Sequence, residues 1–263
     1  MIKRELIINL KGFLICILVL IMMFLMVYLI YPFIITEDTI NQMDELMKVF
    51  PEELLKAFNM DMASISTAYG WVKTEGLMFI LLAFGIYAGV IGTTILLKEE
   101  NDKTIEYLSF LPVKRRNIVT NKLVVGGVYI VSMTVIFGLF NFVCLLLSGD
   151  FDKKEFLLLS ISPLLFSLPL FTFTLFLSTF MHKTKKVVGM SVGLVFVFYL
   201  LNMFSELSEK VKFFKYFSFY TLADTRNIIE SQKLSIVCVI ISIGLTIIFA
   251  LLTYIRYNKK ELI

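Results

Sequence analysis

Histidine occurs once in 263 residues, cysteine three times and proline five times, and these shortages set the first limits. The lone His182 sits in a basic stretch with no second ligand beside it, which argues against a metal site. Cys16, Cys144 and Cys238 fall in three separate apolar runs without CxxC spacing, so they read as small buried apolar groups. Those runs also contain no Asp, Glu, Lys, Arg or His between their ends. The Arg rows of a voltage sensor, the intramembrane carboxylates of ion-coupled transporters and the HExxH of a metalloprotease are therefore missing. No GxxxxGK[ST] occurs, and every connection is too short for a nucleotide-binding domain, so the chain is expected to hydrolyse no ATP alone. With no nucleophile, base or metal constellation converging at one depth, a membrane enzyme ranks behind other readings.

What is abundant is apolar. Hydrophobic residues make up 58% of the chain, against about 45–50% in soluble domains, and the mean hydropathy is +0.85. Six runs, Phe13–Ile35, Gly76–Leu97, Leu123–Leu147, Phe156–Met181, Val187–Phe204 and Leu234–Ile255, approach or exceed the ~20 residues of a helical span. Barrel strands alternate apolar and polar residues, and these runs do not. The first run is longer than a signal-peptide core and exits at Tyr31-Pro32, so it is expected to stay as a span. Fifteen of the 25 Lys and Arg fall in connections on the side of the N-terminus and ten on the other, which predicts both termini in the cytoplasm. Met1–Leu10 spaces Ile2, Leu6 and Leu10 beside Lys3, Arg4 and Lys11, as an interfacial helix or a plain basic flank would.

The connection Thr36–Glu75 is acidic and helical in pattern, with Pro51 at a helix start, and predicts a small outer helical cap. SGDFDKKE is short enough to make the third and fourth spans a hairpin. Pro163 and Pro169 are expected to kink the fourth span. The Lys-aromatic segment VKFFKYFSFY fits the outer headgroup level, and nucleic-acid binding carries little weight there. Inside the spans the polar groups are neutral, among them Thr93, Asn141, Ser167, Thr174, Ser191 and Asn202, and suit helix packing or an amphipathic cargo better than bare ions. Gly85-x-x-x-Gly89 and Gly189-x-x-x-Gly193 read as helix-packing motifs, with a dimer contact as the lesser alternative.

KEENDKTIEYLSFLPVKRRNIVTNK, Lys98 to Lys122, is charged yet places Ile105, Leu108 and Leu111 at three-residue spacing before Pro112. Acids at its start and Lys114, Arg115 and Arg116 after its end suit a helix dipole. Such an amphipathic helix either lies on the inner leaflet or docks in a groove of a cytoplasmic partner. The stretch resembles the coupling helix after the second span of ABC-2 type transporter permeases, although Asp102-Lys103 stands where many members have a Gly before the Thr. FPEELLKAFNM in the first outer loop, the six-span plan and the closing YNKKEL extend the resemblance.

The resemblance implies one all-α transmembrane domain over residues 1–263, similar to type V exporters. It would have an N-terminal interfacial helix, an outer cap at about 36–75 and a coupling helix at about 99–112. It further implies pairing with a second copy or a paralogous permease, and docking on a separate ATPase subunit that would bind the ATP and Mg, with no cofactor in this chain. Thr104, Ile105, Tyr107 and Leu108 would enter a groove on that subunit, Glu106, Lys114, Arg115 and Arg116 would pair with its rim, and Lys183 and Lys185 would form a second contact. The expected function is an exporter permease of the plasma membrane, similar to those that move bacteriocins or phenol-soluble modulins. A drug, lipid or sodium exporter is an alternative, and a peptide-binding immunity or sensor protein is the reading from another class.

Overall fold

The structure, a computed structural model, describes residues 2–34, 36, 39, 45, 49, 67–101, 115–149, 151–181, 184–207 and 209–260. Among these there is no strand. Six helices are long and apolar enough to cross a membrane: span 1 Ile2–Phe33, span 2 Ala68–Glu99, span 3 Arg115–Ser148, span 4 Lys153–Ser178, span 5 Val187–Ser205 and span 6 Ile236–Lys259. The chain is a multi-pass membrane protein. Alternate crossing puts the start of span 1 and the end of span 6 on one face of the bundle, here the N-terminal face.

Spans 2 and 4 form the centre, with 61% and 56% of their apolar windows buried, whereas span 6 buries 11% and span 5 buries 17%. Span 4 touches spans 2, 3 and 6, span 5 lies against span 2, and span 1 lies along span 3. The isoleucines, leucines and valines on the outer sides of spans 1 and 6 are exposed, as lipid-facing surfaces require.

Glycine explains why span 2 sits so deep. A Cβ on Gly92 would lie 2.1 Å from the Thr174 hydroxyl and 2.6 Å from the Phe171 carbonyl of span 4, and one on Gly89 would lie 2.7 Å from the Ser191 hydroxyl of span 5. Gly85, Gly89 and Gly92 thus let two neighbouring helices approach the backbone of span 2. Gly189 and Gly193 make no such approach, since a Cβ on either meets nothing within 4 Å among the described residues.

Most hydroxyls within the spans bond carbonyls of their own helix. Thr93 donates to Gly89 and Val90, Thr134 to Ile130 and Thr174 to Leu170 and Phe171. Pro163 and Pro169 lie inside one continuous helix, Lys153–Ser178. Pro163 has no N–H for the Leu159 carbonyl, and the Ser162 hydroxyl donates to that oxygen instead at 2.9 Å. The three cysteines are free and half-buried.

At the N-terminus the structure departs from the expected interfacial helix. A single helix runs from Ile2 to Ile34, so the first ten residues continue the axis of span 1. No proline interrupts this stretch, and Glu5 is drawn inward by a partner described below.

Candidate functional site at the N-terminal face

Span 2 ends at Glu99 and span 3 begins at Arg115, so two helical stalks on the N-terminal face flank residues 102–114 in the chain, which lie outside the described residues. The expected coupling helix lies almost wholly within that gap. Thr104, Ile105, Glu106, Tyr107, Leu108 and Lys114 fall outside the described residues, as do Lys183 and most of the expected outer cap. Arg115 and Arg116 open the helix of span 3, with Arg116 exposed, and Lys185 lies in the first turn of the helix Thr184–Leu207.

The stalks themselves are fastened by buried charge. Lys122, 2% exposed, places its Nζ 2.9 Å from Glu5 Oε2 of span 1 and 3.2 Å from Glu99 Oε1 of span 2. The half-exposed Arg4 guanidinium approaches the same Glu99 oxygen at 3.9 Å. Both carboxylates are also buried, so three helices meet at an ion cluster shielded from water. Taking charges out of water costs several kcal/mol per ion, roughly recovered only while every partner is in place. Two further bonds reinforce the junction: the Tyr129 hydroxyl donates to the Leu6 carbonyl, and Lys98 Nζ donates to the Ile8 carbonyl at 3.4 Å. The first turns of span 1 are therefore stitched to both stalks of the 102–114 gap.

A second junction lies beside it. Arg115 Nη1 donates to the Lys260 carbonyl at 2.7 Å and the Asn258 carbonyl at 3.3 Å, and the Thr120 and Tyr254 hydroxyls lie 2.8 Å apart. Lys260 Nζ in turn donates at 2.8 Å to the Met181 carbonyl, just past span 4, and the Arg256 guanidinium lies 4.8 Å from the Phe180 ring centre. Of the residues expected at a docking surface, Arg115 is thus bound into the bundle itself.

No group of three or more His, Cys, Asp or Glu able to hold a metal occurs among the described residues. What the arrangement offers is mechanical: the Lys122 cluster ties spans 1, 2 and 3 together, and Arg115 and Lys260 tie span 3 to the ends of spans 6 and 4. Sequence reading missed the cluster, because Glu5 and Lys122 look like ordinary flanking charges when the spans are read one at a time. The signal available is that each stands at the end of a span on the N-terminal face, one acidic and one basic.

On the opposite face, Lys73 and Glu155 pair at 3.2 Å above a cavity of about 30 Å³ among spans 2, 3 and 4, bordered by Thr134, Asn141 and Ser160. That volume suits one or two waters, not a cargo molecule.

A family model described as ABC-2 family transporter protein matches residues 3–262. No curated protein and no solved structure matches the chain.

Proposed function

Since the chain belongs to the ABC-2 transporter family and is a membrane permease of an ABC system, we propose that it is the export subunit of a transporter for amphipathic peptides, driven by a separate ATPase. Two such membrane domains pair, each seated on one ATPase subunit that binds the ATP and Mg. The N-terminal face is cytoplasmic, supported by the excess of Lys and Arg in its connections, and the membrane is the plasma membrane. The ATPase groove takes Thr104, Ile105, Tyr107 and Leu108, while Glu106, Lys114 and the exposed Arg116 meet its polar rim. Arg115, bonded inward, joins this contact to span 6. Lys183 and Lys185 form the second contact.

The observation that supports the reading most is the fastening of both stalks of residues 102–114 by Lys122. A partner that grips the segment and changes shape with ATP moves spans 1, 2 and 3 together, and so biases the bundle between two states. Amphipathic cargo is favoured over ions because the buried charges among the described residues lie at span ends, leaving mid-span interiors apolar with neutral hydroxyls.

Purification from the host should bring down an ATPase-sized subunit whose hydrolysis is stimulated by the permease. Leu108→Arg, which sets a charge in the apolar stripe, should abolish that stimulation while leaving the permease folded. Full stimulation by the variant would remove the docking role, and peptide binding that needs no ATPase would favour a sensor instead.

A further inference from the structure

Between spans 5 and 6 the chain leaves the bundle on the face opposite the N-terminus and then re-enters it. The 3-10 segment Glu209–Phe217 keeps Phe213, Tyr216 and Phe217 exposed, whereas the next, Phe219–Ala223, buries Tyr220, Leu222 and Ala223. Ser218 makes the corner: its hydroxyl donates to the Phe198 carbonyl at 2.6 Å and accepts the Tyr220 N–H at 3.2 Å. The Tyr220 ring then stacks on Phe166 with centroids 4.5 Å apart and meets Tyr199 edge-on at 5.4 Å.

Its hydroxyl reaches the glycine face of span 2. A Cβ on Gly85 would lie 1.9 Å from that oxygen, so only glycine leaves room for it. Tyr220 is 2% exposed, and its hydroxyl has no hydrogen-bond partner among the described residues. A buried hydroxyl left unpaired is unfavourable, a cost that water or a ligand would return.

The same residue borders a pocket of about 200 Å³ that opens on this face, with Lys215, Thr221, Asp224, Arg226 and Glu230 in its wall. Tyr220 therefore stands between this pocket and the glycine face of span 2. Asp224, which follows the turn directly, holds a left-handed backbone at φ 48°, and Gln232 does so at φ 50°. Both stand at helix ends, where the chain changes direction between elements, the kind of position at which segments pivot.

We propose that this pocket is the exit site for charged groups of the transported molecule, and that the turn Phe219–Ala223 is its movable floor. Seated against Gly85, Tyr220 closes the route; swung into the pocket, it opens it and gains partners for its hydroxyl. The wall carries both signs of charge, which suits a zwitterionic peptide segment. The inference rests on the transport reading above.

The turn can be pinned without touching Tyr220 or Gly85. The Thr221 hydroxyl donates to Asn202 Oδ1 of span 5 at 3.1 Å, so Thr221→Cys with Asn202→Cys, in a chain lacking its three native cysteines, places two thiols together. Oxidation should stop ATP-driven export and reductant should restore it; export at the unlocked rate from fully cross-linked protein overturns the movable floor. A second measurement needs neither peptide nor ATPase. Vesicles holding the purified chain alone should release a small trapped dye when Tyr220→Ala is present and retain it with Tyr220→Phe. Vesicles sealed in both cases would overturn the closing role of Tyr220. A wrong cargo leaves the dye result standing, whereas failure of the floor leaves wild-type peptide export untouched, so the two ideas fail separately.

Discussion

Among the described residues Lys122 approaches both Glu5 and Glu99 within 3.2 Å, so its removal takes a buried cation from two buried carboxylates. Lys122→Met should destabilise the protein by about 3–5 kcal/mol, seen as a lower thermal midpoint in detergent, and adding Glu5→Gln and Glu99→Gln should recover part of that loss. Glycines divide just as sharply. Gly92→Ala forces a methyl to within 2.6 Å of the Phe171 carbonyl, where backbone must move, and should lower yield and thermal midpoint together. Gly189→Ala meets open space and should be neutral or gain up to about 1 kcal/mol from better helix propensity. Both glycine motifs are visible in the sequence with the same spacing, yet among the described residues only that of span 2 packs against neighbouring helices. The difference lies in what stands opposite each helix, which spacing does not encode.

Span 4 shows how an element keeps its continuity against its own composition. Ser162 supplies the Leu159 carbonyl with the donor that Pro163 lacks, so Ser162→Ala should cost about 1 kcal/mol, and Pro163→Ala in the same chain should recover it. A double-mutant cycle on thermal midpoints checks the coupling. The start of the helix is set by Asp152, whose carboxylate accepts the N–H of Lys154 at 2.9 Å and of Glu155 at 3.2 Å. The Glu155 backbone bond is the main cause that holds the Asp152 carboxyl below its ordinary value. A depressed pKa means the cap's contribution is complete above the ordinary carboxylate range and is lost as pH falls through the lowered value. Asp152→Asn keeps a capping oxygen and should flatten that acid dependence in thermal midpoints taken from pH 6 to pH 3. Span number and type were legible because six charge-free runs leave few alternatives. For Met1–Leu10 the sequence leaves an interfacial helix and a plain basic flank both open, because helical spacing of Ile2, Leu6 and Leu10 fits a continuous helix as well as an interfacial one.

At the scale of the molecule, Arg115 and Lys260 join the second stalk to the ends of spans 6 and 4. Lys260→Met should leave ATPase stimulation near wild type while export falls, because docking survives and part of the motion is not passed on; equal loss of both would assign the contact to docking. The tail YNKKEL was noticed as a family likeness, but its work became visible only when Tyr257 and Lys260 were found buried against the bundle. Sequence shows each charge at the end of its own span, and only the folded chain shows that these ends converge. Span 1 adds a further consequence. Its 33 helical residues extend about 50 Å, well beyond the ~30 Å hydrocarbon layer, and its foot is pinned by Glu5. The surplus is the foot before Phe13, which carries Lys3, Arg4, Glu5 and Lys11 and stands outside the hydrocarbon, so the depth at which the membrane holds Phe13–Ile35 sets the height of a strut that shares an anchor with the stalks of spans 2 and 3. Reconstitution in lipids of increasing acyl length should shift that strut and change the turnover rate with no alteration to the protein.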